Sequence, residues 1–148
     1  MKSLTKGYHL WGNQQTSNAP VYIYTGEDAA KLLLKNDRVE KDPKFVAYYL
    51  DDDFKVIDHE FIYLNSLLDI LLSPGEIIEK ARRLAPCQIV TAYLDKTYTR
   101  YLTANDITMM SSLKYAFEYN HIQFRDHLFV GKNNEWVSLI EEGYLKLG

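Results

Sequence analysis

Four groupings of residues in this chain carry side chains able to do chemistry. Asp58-His59-Glu60 and Asp126-His127 place imidazoles beside carboxylates, the pairing that general acid–base catalysis or metal ligation draws on. Cys87 is the single thiol, and Asp95 and Asp106 stand eleven positions apart around a segment holding Tyr93, Lys96, Tyr98, Arg100 and Tyr101. Each has a plainer reading. Strand alternation sends Asp58 and Glu60 to one face and His59 to the other, so the three cannot converge, and a solvated strand is expected there. Cys87 precedes an apolar run and has only Arg82 and Arg83 near it in sequence, so it reads as a buried, inert thiol. Thr103 stands three before Asp106, the spacing of a helix cap in which a carboxylate meets free N–H groups; alternatively Asp95 and Asp106 together hold a hard cation such as Mg²⁺ or Ca²⁺.

The tyrosine-rich segment admits two readings. Tyrosine and arginine are enriched at protein-binding hot spots because they offer large rigid area with polar ends, and the same tyrosines can instead fill a pocket. A further alternative is single-stranded nucleic acid, with these rings stacking on bases while Lys80, Arg82, Lys96 and Arg100 take phosphates. The net charge of −3 provides no general attraction to a phosphate backbone.

These residues need a frame to hold them, and the rest of the sequence outlines one. With 148 residues, 47% of them apolar and 14% aromatic, the chain has material for one core and too little length for two. Seven glycines and four prolines exclude fibrous and low-complexity classes. A lone cysteine makes no internal disulfide, and a reducing cytoplasm is the expected location. No run of about 20 apolar residues is present, so no membrane span or signal core is expected.

Residues 1–20 are polar, close at Pro20 and read as an N-terminal arm, with the domain over 21–148. Trp11 in that arm either anchors a partner or folds back. Thr25 caps a helix over GEDAAKLLLKN, with Ala30, Leu33 and Leu34 on one face. The apolar run at 45–50 predicts a strand covered on both faces and the centre of the sheet, and KVIDHEFIYL after the DDDF turn predicts its hairpin partner. NSLLDILL at 65–72 suits a strand or a helical turn equally. Ser73 as N-cap, Pro74 at the first helical position and Glu76 closing a capping box predict a helix that Pro86 ends. CQIVTAY is then a strand, and LDKTYTRYL a loop. Thr103 starts the longest helix, on which Ile107, Met110, Leu113 and Phe117 recur at three- and four-residue steps. Two strands around GKNN close the chain, with Trp136 in the core. The class is α/β, in the order α, β-β, α, β, α, β-β, without internal repeats.

From about Val21 to Leu145 this order and several strings resemble the RadC-like branch of the JAB/MPN metalloprotease superfamily. RDHLFVGKNNEWVSLIEEGYL at 125–145 is similar to that family's ending: a D-H pair, an apolar strand, a glycine turn, a serine and an E-x-G close. Leu50-Asp51, Pro74-x-Glu76 and the run from Ala81 to Ile89-Val90 fall in the same register. The resemblance implies a mixed β-sheet flanked by helices, of the kind shared with cytidine deaminases. It also implies a zinc site in active members: a glutamate near the first central strand, a His-x-His-Pro-Ser-Gly block, then Ser-x-x-Asp. In register those positions hold Pro43, Tyr93, Asp95, Thr103 and Asp106, so the glutamate and both histidines are replaced.

The resemblance therefore implies a domain without the family's hydrolase chemistry, with no cofactor, that binds a protein partner. Tyr93, Lys96, Tyr98, Arg100 and Tyr101 are the candidate contact residues. The family's presence in mobile elements and phage suggests a defence or counter-defence setting, and its DNA-repair label suggests the nucleic-acid alternative. A residual metal-dependent hydrolase is the third reading. His127, inside the retained string, is expected to be a structural, hydrogen-bonding histidine.

Overall fold

A computed structural model describes residues 19–35, 44–63, 74–84, 87–95 and 102–146. The elements are α1 (Gly26–Lys35), β1 (Lys44–Leu50), β2 (Val56–Tyr63), α2 (Gly75–Arg83), β3 (Gln88–Leu94), α3 (Ala104–Tyr119), β4 (Gln123–Val130) and β5 (Trp136–Ser138). A 3₁₀ turn, Lys132–Asn134, joins β4 to β5. This is the order expected from the sequence.

One mixed sheet carries the fold, with strand order β2-β1-β3-β4-β5. β1 pairs antiparallel with both β2 and β3, β3 pairs parallel with β4, and β5 returns antiparallel to β4. The parallel pair needs a crossover, which α3 supplies. β1 is buried and flanked on both sides, as its apolar run implies, but the central strand is β3. Apolar continuity marks a strand covered on both faces, and β1 and β3 both satisfy that condition; the crossover after β3 decides which is central.

Alternation along the strands builds two cores. Phe45, Ala47, Tyr49, Ile89, Tyr93, Phe124 and Phe129 face one way and pack with Ile77 and Ala81 of α2 and Met110, Leu113 and Phe117 of α3. Val46, Tyr48, Leu50, Val90, Ala92, Leu128 and Val130 face the other way, against Ala29, Ala30 and Leu33 of α1 and Ile23. Burying each large apolar side chain stabilises by about 1.5–3 kcal/mol, so both helical layers are held to the sheet mainly by these contacts.

Helix starts follow local chemistry. Thr25 Oγ1 accepts from the Asp28 amide at 3.2 Å, and Asp28 Oδ2 accepts from the Thr25 amide at 3.1 Å. Thr103 and Asp106 make the same reciprocal box at α3, 3.0 Å each way. Pro74 stands one position earlier than the sequence places it, at the N-cap of α2, where its carbonyl accepts from the Ile78 amide at 3.1 Å. An offset of one residue is ordinary at a helix end; the assignments to Ser73 and 65–72 lie outside the described residues. In the turn before β5, Asn133 and Asn134 take left-handed φ values of 62° and 60°, a conformation asparagine tolerates better than most residues.

Candidate functional site

The end of β3 carries the first candidate positions. Tyr93 pairs across the sheet with Phe45 and Phe129, is 8% exposed, and meets the Phe129 ring edge-on at 6.1 Å. Its body is thus part of the α2–α3 core. Asp95 follows the strand; its amide donates to the Val130 carbonyl at 2.9 Å and its side chain is half-buried. Lys44 at the start of β1 pairs with Leu94, so β1 begins at the sheet end where β3 finishes. Thr103 and Asp106 are bound to each other in the α3 cap. Pro43, Lys96, Tyr98, Arg100 and Tyr101, together with Trp11, lie outside the described residues. Among the described residues, no group of three or more His, Cys, Asp or Glu side chains is placed to hold a metal ion.

His127 lies fully buried beneath the same face. Thr91 Oγ1 and His127 Nδ1 share a hydrogen bond of 2.6 Å, Phe45 stacks on the imidazole at 6.0 Å and Phe129 meets it edge-on at 4.8 Å. Nε2 is buried and has no hydrogen-bond partner among the described residues. Burial pushes the pKa down to about 3, so the ring is neutral near pH 7, as a structural histidine requires.

Asp126 points the other way, into a network that sequence reading did not assemble. Its Oδ1 accepts from the His127 amide at 2.7 Å and the Ile140 amide at 3.2 Å, and its Oδ2 from the Ser138 hydroxyl at 2.5 Å. Ser138 Oγ accepts from the Glu141 amide at 3.1 Å, and Glu141 Oε2 from the Gly26 amide at 2.8 Å. The D-H pair, the serine and the E-x-G close thereby fasten the start of α1 to β4 and β5. Desolvation raises the Asp126 pKa, with Ser138, Ile140 and His127 opposing it through their hydrogen bonds. The signal for this network was the C-terminal string itself; Gly26, which completes it, gave none.

On β2, Asp58 and Glu60 share a face, as alternation predicts. Lys80 Nζ sits 2.9 Å from Asp58 Oδ2 and 3.7 Å from Glu60 Oε2, above the Tyr49 ring at 5.2 Å, while the Tyr49 hydroxyl donates to Glu60 at 2.7 Å. Lys80, a phosphate-contact candidate in the nucleic-acid reading, thus has its charge matched by two carboxylates. The expected solvated strand is corrected at His59, which is 2% exposed and lies against Tyr48 and Phe61 at 6.0 and 5.5 Å. Burial first, then the Lys80 charge, lowers its pKa to about 3.

Cys87 is buried, and burial pushes its thiol up to about 11, in line with an inert role. It borders a cavity of about 320 Å³ with Arg82, Gln88 and His121. Trp136 is half-buried and packs on the α1-side core. No helix among the described residues is long and apolar enough to cross a membrane.

Comparison with known proteins gives this arrangement its family. Among similar proteins, a UPF0758 protein of Geobacillus sp. (strain WCH70) is 27% identical over 128 residues, covering 86% of this chain and 56% of the relative. A UPF0758 protein of Bacillus pumilus (strain SAFR-032) is 26% identical over 133 residues, 90% of this chain and 59% of the relative. The chain thus spans a little over half the length of the curated relatives it matches. The family model described as the RadC-like JAB domain matches residues 23–144, from the segment that leads into α1 to the loop that Glu141 anchors, and the chain belongs to that family.

Proposed function

We propose that this chain is a RadC-like domain without hydrolytic chemistry, which binds a protein partner through the segment between β3 and α3. The observation that carries the reading is Asp106. The family resemblance implies a zinc ligand there, yet Asp106 Oδ2 accepts from the Thr103 amide while Thr103 Oγ1 accepts from the Asp106 amide. Its carboxylate is employed in starting α3.

The donors at the corresponding positions do not fit zinc. Tyr93 offers a phenol whose ordinary pKa near 10 makes it a poor neutral-pH ligand, and its ring is built into the core. Asp95 and Asp106 are hard oxygen donors without an imidazole beside them, a set suited to Mg²⁺ or Ca²⁺ rather than Zn²⁺. Pro43 supplies no general base.

In this reading Tyr93 fills the vacated position from within, and Lys96, Tyr98, Arg100 and Tyr101 form the contact surface. The engagement of Lys80 by Asp58 and Glu60 weighs against the nucleic-acid alternative. A cytoplasmic setting suits the single reduced Cys87, and a defence or counter-defence context fits the resemblance. The test is capture of partners from native lysate by wild type, Tyr98→Ala and Arg100→Ala. Loss of a partner in both variants, with melting kept and mild salt dependence, supports the proposal. Binding identical to wild type in both moves the interface elsewhere, and a steep fall of affinity with salt identifies nucleic acid.

A further inference from the structure

Ahead of α1 a short segment pairs through a single antiparallel bridge with the residues leading into β2. The Ile23 amide donates to the Phe54 carbonyl at 3.0 Å, the Val56 amide to the Val21 carbonyl at 2.8 Å, and Tyr22 pairs with Lys55. This pairing turns the Tyr22 amide and carbonyl outward, where neither has a partner among the described residues. An unpaired edge of this kind is a template for another strand.

Beside that edge runs a row of aromatic rings. Tyr22 and Tyr24 stack at 5.7 Å, only 2° from parallel, and Tyr24 meets Phe54 at 5.6 Å. The two tyrosines are 39% and 63% exposed, a large apolar surface left to water. Arg125 closes the row, its guanidinium 5.1 Å from the centre of the Phe54 ring. Among the described residues that ring contact is its only interaction, and none of them offers its N–H donors an acceptor.

Two backbone irregularities put these groups in place. Phe54 holds φ at +68°, a left-handed conformation that is costly for a bulky side chain. Arg125 is the extra residue of a bulge: Phe124 pairs with Ile89 and Asp126 with Val90, and bulges re-aim side chains. A cavity of about 170 Å³ is lined by Arg125, Phe54, Tyr24 and Thr25 together with Asp126 and Glu141, whose carboxylates accept from the Ser138 hydroxyl and the Gly26 amide.

The chemistry of the row selects its occupant. One free guanidinium calls for one carboxylate. Exposed Asp52 and Asp53 beside Phe54, with Glu27 at the start of α1, oppose a polyanion such as single-stranded nucleic acid. At ~3.3 Å per residue, an extended peptide of about five residues covers the row. We propose that the surface from Tyr22 to Arg125 docks an extended segment of a partner protein, which adds a strand beside Tyr22, lays apolar side chains on Tyr22, Tyr24 and Phe54, and sets one carboxylate on Arg125. This is strand addition, with main-chain bonds giving affinity and ring and guanidinium contacts giving selectivity. It uses none of the residues between β3 and α3, so either surface can fail without the other.

The test selects a random hexapeptide display library on the full chain and on Arg125→Gln. Wild type should enrich sequences with an Asp or Glu within five residues of an aromatic residue or proline. A synthetic peptide of the enriched sequence should bind roughly tenfold more weakly to Arg125→Gln and to Tyr24→Ala, both with wild-type melting, and should shift the amides of Tyr22 to Tyr24. Enrichment independent of Arg125, no enrichment, peptide-induced shifts confined to other residues, or an oligothymidylate that perturbs the same amides more strongly would each overturn the proposal.

Discussion

Replacing Gly26 with alanine should unfold this domain far more readily than a one-methyl change suggests. A Cβ at Gly26 would lie 2.9 Å from Glu141 Oε2, 2.9 Å from Ser138 Cβ and 3.0 Å from Asp126 Oδ2. Glu141 can swing away, but Ser138 Cβ is fixed by the β5 backbone, so α1 must shift. Overpacking of this kind costs about 1–3 kcal/mol, and displacing Glu141 forfeits a bond from the Gly26 amide to a charged acceptor, worth about 1.5–3 kcal/mol. Alanine's better helix propensity returns at most about 1 kcal/mol. The net loss is about 1.5–5 kcal/mol, and at ~2–4 °C per kcal/mol for a domain of this size the midpoint should drop by roughly 3–20 °C. Urea and thermal unfolding of Gly26→Ala measure it, with Gly75→Ala as control: a Cβ at Gly75 meets nothing within 4 Å, so that variant should be neutral or stabilised by up to about 1 kcal/mol. Gly26→Ala as stable as wild type would refute the assignment of the Asp126–Ser138–Glu141 network as the fastening of α1.

Other consequences follow from single groups. Thr103→Ala and Asp106→Ala should each cost about 1 kcal/mol as cap mutations, read by thermal melts. A loss of metal or activity in Asp106→Ala with unchanged melting would show a ligand instead. His59 and His127 have folded pKa values lowered to about 3 from 6.5. Their contribution is complete above pH 6.5 and is lost as pH falls toward 3, because the unfolded chain takes up the protons, with a slope of up to about 1.4 kcal/mol per pH unit for each ring. Asp126, raised above 3.8 by burial, acts in the opposite sense, costing stability above its folded pKa and less as it protonates. Urea midpoints between pH 7 and 5 should fall, and fall less in His127→Gln; a flat profile would contradict the burial of both rings.

Much of the fold was legible because its signals are local. Thr25 with Asp28 and Thr103 with Asp106 announce helix starts within four residues, and the alternation of Asp58, His59 and Glu60 assigns their faces without outside information. What was hidden depends on partners distant in sequence. That β3 rather than β1 is central follows from the crossover through α3, which no strand's own composition encodes. His59 is buried because Tyr48 and Phe61 enclose it, and Lys80 is neutralised from β2. Gly26 matters through residues more than a hundred positions away. The Tyr22–Arg125 row depends on a bulge at Arg125 and a left-handed Phe54, neither of which leaves a mark in periodicity. At the candidate site, the expected replacement of two imidazoles and a glutamate rests on register with the family pattern, whereas the placement of Tyr93 in the core could not be read from the sequence.

Elemental analysis of the purified full chain after dialysis decides whether the positions around β3 and α3 form a zinc hydrolase centre. With Asp106 committed to the α3 cap and Tyr93 to the core, the protein should retain no stoichiometric zinc. About one zinc per chain surviving dialysis, and lost in Asp106→Ala, would restore the hydrolase reading.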